Sequence, residues 1–159
     1  MSLTPRNSHE PIIRSDYLGF ILDPERSTGY FTRSVKTLQE SNVEFDAIAY
    51  TGVSGGLTAP VIAFLLKKPL IVVRKTTDVS RHSPYMIEGD IDASSFIIVD
   101  DFECSGKTRD KIISAVTHWN NAEYKGFLSV LYNDFSSPSV MDRGLQTTIR
   151  EEALMRETS

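Results

Sequence analysis

FIIVDDFECSGKT, residues 96–108, is the most informative segment of this 159-residue chain. Four apolar residues lead into two adjacent acids, Asp100 and Asp101, and the stretch closes in Ser-Gly-Lys-Thr at 105–108. The apolar run predicts a strand that is buried on both faces, which is typical of a parallel sheet. A helix is predicted to start near Gly106, so the residues between form a strand-to-helix turn.

This turn carries groups that suit a phosphorylated sugar. A helix start presents unpaired backbone N–H groups and the positive end of the helix dipole, so a small loop there can wrap a phosphate. Gly106 lets the backbone come close, and Ser105 and Thr108 add hydroxyl donors. Asp100 and Asp101 suit sugar hydroxyls, directly or through a hard cation such as Mg²⁺. Together these features predict a site for a ribose 5-phosphate group.

The same residues fit two other interpretations of the turn. Ser-Gly-Lys-Thr can be only a helix cap, with the two acids as a solvated strand end. Gly-Lys-Thr also closes a P-loop, but that motif requires a glycine five positions before its second glycine. This chain has Asp101 at that position, so the P-loop is disfavoured, whereas the simple cap stays open.

Outside this stretch, short apolar runs alternate with segments that have apolar residues on one helical face. Strands are expected at 17–22, 45–50, 70–73, 96–99 and 127–132. Helices are expected at 24–41, 57–66, 106–119 and 145–153. This alternation predicts an α/β fold, a parallel β-sheet flanked by helices. The length predicts a single domain over 1–159.

Composition limits the classes of function. Hydrophobic residues make up 40% of the chain and charged residues 24%, as in soluble globular domains. The net charge of −4 provides no basic face for nucleic acid. No apolar run approaches the roughly 20 residues of a membrane helix, and the N-terminal segment lacks the apolar core of a signal peptide. We therefore expect a cytoplasmic protein that binds neither nucleic acid nor membrane.

Residues 96–108 resemble the thirteen-residue signature of the type I phosphoribosyltransferases, in which an apolar run and two acids precede a loop closing in Thr/Ser-Gly-x-Thr. AIAYTGVSGGLTAPVIAFLLKKPLIVVRK, residues 47–75, resembles that family's first core strand, diphosphate loop, helix and second strand. Members bind 5-phosphoribosyl 1-diphosphate (PRPP) with magnesium. The resemblance implies a core at 45–132 and an arm and hood at 1–44, with the C-terminal segment at 133–159 as a second candidate for the hood.

The resemblance also implies the roles of individual residues. Asp100 and Asp101 would face the ribose hydroxyls as catalytic residues and hold Mg²⁺ through water or the ribose. The 5-phosphate would be bound by Cys104, Ser105, Gly106, Lys107 and Thr108. The diphosphate would be bound by Gly52, Val53, Ser54, Gly55 and Arg74. The family often has a cis peptide in this second loop, which maps to Val53-Ser54, and often a Lys or Arg where this chain has Ser54.

A loop that closes over PRPP is expected in the polar segment 75–95. Its cations Lys75, Arg81 and His82 would act on the leaving diphosphate, although each can equally be a solvated surface residue. The order "VVRK", a basic-His pair and "IEG" resembles orotate and adenine members. Two extra residues between Lys75 and the basic-His pair make the matching of residues in this loop loose.

The implied reaction transfers the phosphoribosyl group from PRPP to a nucleobase and releases diphosphate. Enzymes for 6-oxopurines usually carry an aspartate at the position of Cys104, so an orotate-like or adenine-like base is favoured. The hood would offer aromatic residues for stacking, unless they are core residues, namely Tyr17, Phe20, Tyr30 and Phe31. The family implies a homodimer. The alternative is a catalytically weak PRPP- or nucleotide-binding regulatory protein of the same fold.

Overall fold

The computed structural model describes residues 14–15, 17–75, 86–90, 92–103 and 105–158. Its helices are α1 Gly19–Leu22, α2 Pro24–Ser41, α3 Gly52–Leu66, α4 Lys107–Asn120 and α5 Val140–Glu157. Its strands are β1 Ala47–Tyr50, β2 Leu70–Val73, β3 Ile87–Gly89, β4 Ser95–Asp100, β5 Glu123–Ser129 and β6 Asp134–Ser136. No helix in these described ranges is both long and apolar enough to cross a membrane.

The six strands form one sheet in the order β3-β2-β1-β4-β5-β6. The four central strands are parallel, whereas β3 and β6 pair antiparallel at the two edges. The predicted α/β fold, a parallel sheet flanked by helices, is therefore confirmed. The sequence did not reveal the edge strands, because three residues are too few to show a strand period.

Alternate residues of β4 pack into two cores on opposite faces of the sheet. Ile97 and Val99 belong to the core that α2 and α3 cover, and Phe96 and Ile98 belong to the core that α4 covers. Successive strand residues point to opposite faces, so an all-apolar strand needs helices on both sides. Each of these fully buried side chains stabilises the fold by about 1.5–3 kcal/mol. The two cores hold the end of β4, where the acids lie, in a fixed place.

The strand predicted at 17–22 is wrong. Gly19–Leu22 is one helical turn, and its Phe20 and Ile21 are both buried in the same core. Neighbouring residues of a strand would point to opposite faces, so only a helical turn brings both to one core. The helix predicted after Asp23 is confirmed, and the Asp23 carboxylate accepts a hydrogen bond from the Glu25 N–H at 3.1 Å.

The glycine-rich segment before 57–66 is helical as well, so α3 begins earlier than expected, at Gly52. Gly55 lies against β1, since a Cβ added to it would be 3.2 Å from the Tyr50 Cβ. The cis peptide expected at Val53-Ser54 is wrong, because the described residues contain no cis peptide. The Val53-Ser54 bond lies inside α3, where the helical backbone requires trans peptides.

Candidate functional site

A cleft of about 200 Å³ lies at the carboxyl ends of the parallel strands. It opens where the sheet order reverses, because β2 lies on one side of β1 and β4 on the other. Open α/β sheets bind their ligands at such a switch point. The turn after β4 and the start of α4 supply most of the lining, namely residues 100–103, 105, 106, 108 and 109. Tyr17, Ser54 and Phe127 complete it.

The two predicted acids form the floor of this cleft. Asp100 ends β4, and Asp100 and Asp101 are only 8% and 4% exposed. The Asp101 N–H donates to Asp100 Oδ1 at 2.8 Å, and the Phe102 N–H donates to Asp101 Oδ1 at 2.8 Å. Ser54 Oγ donates to Asp100 Oδ1 at 2.9 Å, so the turn after β1 contacts the acid pair directly.

Burial changes the acidity of the pair. The pKa of Asp100 is raised from 3.8 to about 7, mainly by burial and next by the hydrogen-bonded Asp101 carboxyl group. Hydrogen bonds from the Asp101 N–H and the Ser54 hydroxyl act in the opposite direction and lower this pKa. A cation bound beside Asp100 would favour its ionised form, because an opposite charge stabilises a carboxylate.

The acid pair fits a magnesium ion that arrives with its ligand. Within the ranges that the structure describes, no cluster of three or more His, Cys, Asp or Glu side chains could hold a metal by itself. Mg²⁺, however, is usually held by one or two carboxylates and takes its other ligands from phosphate oxygens and water. Asp100 and Asp101 supply two carboxyl groups in one cleft, which is a donor set of that kind.

The turn before α4, in which the sequence predicts a phosphate loop, ends in a glycine that starts the helix. Gly106 is the N-cap of α4 at φ +74°, a left-handed conformation that glycine adopts without strain. The Asp110 N–H donates to the Gly106 carbonyl at 3.0 Å, which starts the helix where the sequence predicted it. The side chains of Ser105, Lys107 and Thr108 are exposed, and Ser105 and Thr108 also line the cleft.

The turn after β1 contributes less of the cleft than expected, since only Ser54 of its predicted diphosphate ligands lines it. Val53 is exposed and Gly55 is buried. Gly52 has φ +71°, and a Cβ there would lie 3.1 Å from Lys75 Nζ. The ammonium group of Lys75 thus lies beside this turn.

Arg74, another predicted diphosphate ligand, does not line the cleft. Arg74 pairs with Glu88 across the β2–β3 edge, and its Nε donates to Glu88 Oε1 at 2.9 Å. Arg81 and His82 lie outside the described residues, and so does Cys104 of the phosphate loop.

Sequence reasoning missed Phe102, Glu103 and Arg109, all of which line the cleft. Arg109 Nη1 lies 2.8 Å from Glu103 Oε1, and its Nε lies 3.4 Å from Asp142 Oδ1 on α5. The only available signal was that Arg109 follows the signature directly. Nothing local in the sequence indicates its partner Asp142.

Of the proposed stacking residues, only Tyr17 lines the cleft. Phe20 and Phe31 are buried in the core that α2 covers, and Tyr30 packs against them. Phe102 also lines the cleft, and the Tyr132 ring lies edge-on to it with ring centres 6.5 Å apart.

Comparison with solved structures identifies the architecture. The fold is similar to that of orotate phosphoribosyltransferase from Francisella tularensis (14% identity, TM-score 0.56, 69% of this chain and 53% of the other). It is also similar to adenine phosphoribosyltransferase from Saccharomyces cerevisiae (21% identity, TM-score 0.57, 79% of this chain and 79% of the other). A third similar structure is adenine phosphoribosyltransferase from Thermoanaerobacter pseudethanolicus (20% identity, TM-score 0.51, 69% of this chain and 70% of the other). The chain thus spans about half the length of the Francisella chain. No protein-family model and no curated protein matches it. The chain has the type I phosphoribosyltransferase fold.

Proposed function

We propose that this protein is a magnesium-dependent phosphoribosyltransferase that moves the 5-phosphoribosyl group from PRPP to a nucleobase and releases diphosphate. One observation carries the proposal: the buried pair Asp100–Asp101 and the loop before α4 line one cleft at the switch point of the sheet. A carboxyl pair beside a helix start matches a ligand with a sugar diol next to a phosphate. The shared fold supports the same assignment.

The 5-phosphate binds at the start of α4 in this proposal. The N–H groups of Ser105, Gly106, Lys107 and Thr108 surround it together with Cys104, and the hydroxyls add donors. The ribose lies over Asp100 and Asp101. The diphosphate extends toward Gly52, Val53, Ser54 and Gly55, where Lys75 provides positive charge. Arg74 would have to leave Glu88 in order to join it.

The chemistry follows from this placement. Breaking the C1–O bond of PRPP leaves positive charge on the ribose ring and negative charge on the departing diphosphate. The two carboxylates lie where they stabilise the ring charge, and Lys75, Arg81 and His82 stabilise the leaving group. Magnesium, when bound with PRPP, neutralises part of the diphosphate charge. A ring nitrogen of the base then attacks C1 with inversion, and a closed site excludes competing water.

The acceptor in this proposal is orotate-like or adenine-like. The sequence departs from the 6-oxopurine enzymes at Cys104, and the yeast adenine phosphoribosyltransferase of the same fold was crystallised with adenine and an imino-sugar bisphosphate. Tyr17 and Phe102 line the cleft beside the acids, so they are the aromatic rings on which a planar base would stack.

A homodimer would form through α3. Val53, Val61 and Phe64 are exposed and lie on one stripe of the helix, because their spacing of eight and three residues returns to nearly the same side. Val53 adjoins Ser54, so a second copy packed on this stripe would lie next to the cleft. Phe64→Glu should shift the protein to monomer in sedimentation experiments, and an unchanged dimer would reject this interface.

The activity is tested by incubation with PRPP, Mg²⁺ and a panel of orotate, adenine, hypoxanthine and guanine, with diphosphate release as the readout. Release with orotate or adenine and its loss in Asp100→Asn/Asp101→Asn are expected. No release with any base would remove the enzymatic proposal.

The second candidate is a PRPP- or nucleotide-binding regulatory protein with little catalysis. Two contacts favour it: Ser54 donates to Asp100 where the family often has a cation, and Arg74 is engaged by Glu88. Calorimetry separates the candidates. Tight PRPP binding without turnover identifies a regulatory protein, whereas turnover with a base identifies the enzyme.

A further inference from the structure

Arg109 stands directly after the phosphate loop, in the first turn of α4. Its Nη1 pairs with Glu103 Oε1 at 2.8 Å, and its Nη2 would lie 3.3 Å from a Cβ added to Gly106. One guanidinium group therefore contacts the beginning of the loop and lies close to its end. Arginine suits this position, since its planar fork can meet several partners at fixed angles.

The other side of the guanidinium faces Asp142 of α5. Arg109 Nε is buried and, within the described residues, has no hydrogen-bond partner, while Asp142 Oδ1 lies 3.4 Å away. A buried charged donor needs a nearby opposite charge, because desolvation otherwise costs several kcal/mol. The Asp142 carboxylate is itself only 4% exposed. Asp142 therefore provides the charge that makes burial of this Arg109 edge tolerable.

Asp142 is held in place by its own helix. Its Oδ2 accepts from the Ser139 N–H at 2.9 Å, and its N–H donates to Ser139 Oγ at 3.1 Å, which forms a capping box. Gln146, one turn later, donates to Thr117 Oγ1 of α4 at 2.9 Å and to the Ala122 carbonyl at 3.2 Å. The first two turns of α5 are thus fixed to α4 and to the residues that follow it.

We propose that Arg109 is a positioning residue through which α5 holds the phosphate loop in its binding conformation. Arg109 need not touch the ligand. Its guanidinium group holds the loop between Glu103 and Gly106, and the contact with Asp142 keeps the guanidinium group in place. The inference rests on the proposed function, to which it adds a support for the 5-phosphate half of the site. The diphosphate half has a different support, because its residues begin α3, which packs on the opposite face of the sheet from α4.

Asp142→Asn tests the link with little other change. The asparagine oxygen can still accept from the Ser139 N–H, so the cap is kept while the charge facing Arg109 is removed. Calorimetry with ribose 5-phosphate and, separately, with inorganic diphosphate should show about tenfold weaker binding of the first and less than about twofold change for the second. Asp110→Asn is the matched control, since its carboxylate is also near Arg109 Nε, at 3.7 Å, but is half exposed.

Arg109→Lys is the second variant, in case Asp142→Asn folds poorly. It keeps the positive charge but loses the planar guanidinium group. We therefore again expect weaker binding of ribose 5-phosphate and little change in the binding of diphosphate. Hydrogen exchange at the amides of residues 105–108 in the ligand-free protein gives a further readout, with faster exchange expected in both variants. A loss of global stability alone would weaken the binding of ribose 5-phosphate and of diphosphate to the same extent.

The outcomes are distinct. Equal weakening of both ligands, or unchanged ribose 5-phosphate binding together with unchanged exchange, overturns the positioning role and leaves the proposed function intact. Wild-type protein that binds neither ligand contradicts the proposed function, and the inference falls with it.

Discussion

The turn after β1 and the turn after β4 lie side by side at the carboxyl edge of the sheet, but they are built differently. Between β1 and α3 only Thr51 intervenes, and its hydroxyl donates to the Val73 carbonyl of β2. Between β4 and α4 the chain runs through residues 101–106, which carry acids and end in a left-handed glycine. The first turn is short and neutral, and the second is long and charged.

The two turns therefore differ in how their charges are supplied. The short turn and the start of α3 offer backbone amides and the hydroxyl of Ser54, and the nearby positive charge comes from Lys75, which follows β2. The long turn carries its own buried acids, and its Glu103 is neutralised by Arg109. Charge placed in a buried turn must be compensated there, whereas a neutral turn has no such requirement. Variants of the long turn should therefore have the larger effects.

The largest effect is expected from Asp100→Asn/Asp101→Asn, which removes the acid that ends β4 and the first acid of the long turn. Diphosphate release should fall about a thousandfold or more, because the developing charge on the ribose loses its partners. The fold should be retained, since the neutral amides are less costly to bury than carboxylates. Activity assays and thermal unfolding measure the two parts. Near-normal turnover would show that the acids do not act on the ribose.

The second expected effect concerns pH and comes from the same turn. Burial raises the pKa of Asp100 to about 7 in the folded protein, against 3.8 as the reference value for an unfolded chain. Between these values the folded state holds the proton more tightly, so the free energy of unfolding should fall as pH rises from about 4 to about 7. The fall is on the order of a few kcal/mol.

Urea unfolding at several pH values, without magnesium, measures this dependence. Asp100→Asn should flatten it, whereas the exposed Asp134→Asn should leave it unchanged. A wild-type profile that rises over the same range would mean that Asp100 is ionised in the folded protein.

Thr108→Val gives a smaller effect that is confined to the long turn. Thr108 lines the cleft and is exposed to a ligand, so it should lose one hydrogen bond to the 5-phosphate. We expect ribose 5-phosphate binding to weaken by about 1–3 kcal/mol in calorimetry. Thr147→Val, an exposed threonine of α5, serves as the control. Unchanged affinity in Thr108→Val would place the phosphate elsewhere.

The smallest effects are expected from a matched pair of glycine variants, one in each turn. Gly52 and Gly106 have φ of +71° and +74°, so an alanine at either should cost about 1 kcal/mol of stability. Gly106→Ala should weaken ribose 5-phosphate binding, and Gly52→Ala should weaken diphosphate binding, each while sparing the other ligand. Binding that changes in parallel for both ligands would show that the turns do not divide the ligand between them.

Much of this arrangement could be predicted from local signals. The strand at 70–73 has the predicted bounds, and α4 starts beside Gly106 as expected, because glycine and hydroxyl residues mark a helix start. The single turn at 19–22 was misjudged as a strand, since six residues of mixed apolar character fit either period. The edge strands β3 and β6 depend on their neighbours for pairing, so they leave no pattern of their own.

The sequence by itself determined the alternation of strands and helices, the acid pair at the end of β4 and the glycine at the start of α4, because these depend on periodicity and local backbone preference. Three contacts follow from the tertiary structure alone: Ser54 donates to Asp100, Arg74 pairs with Glu88, and Arg109 pairs with Asp142. These contacts join residues far apart in the chain. They form only where the sheet and its two cores bring separate elements within hydrogen-bond distance, and no local propensity encodes that proximity.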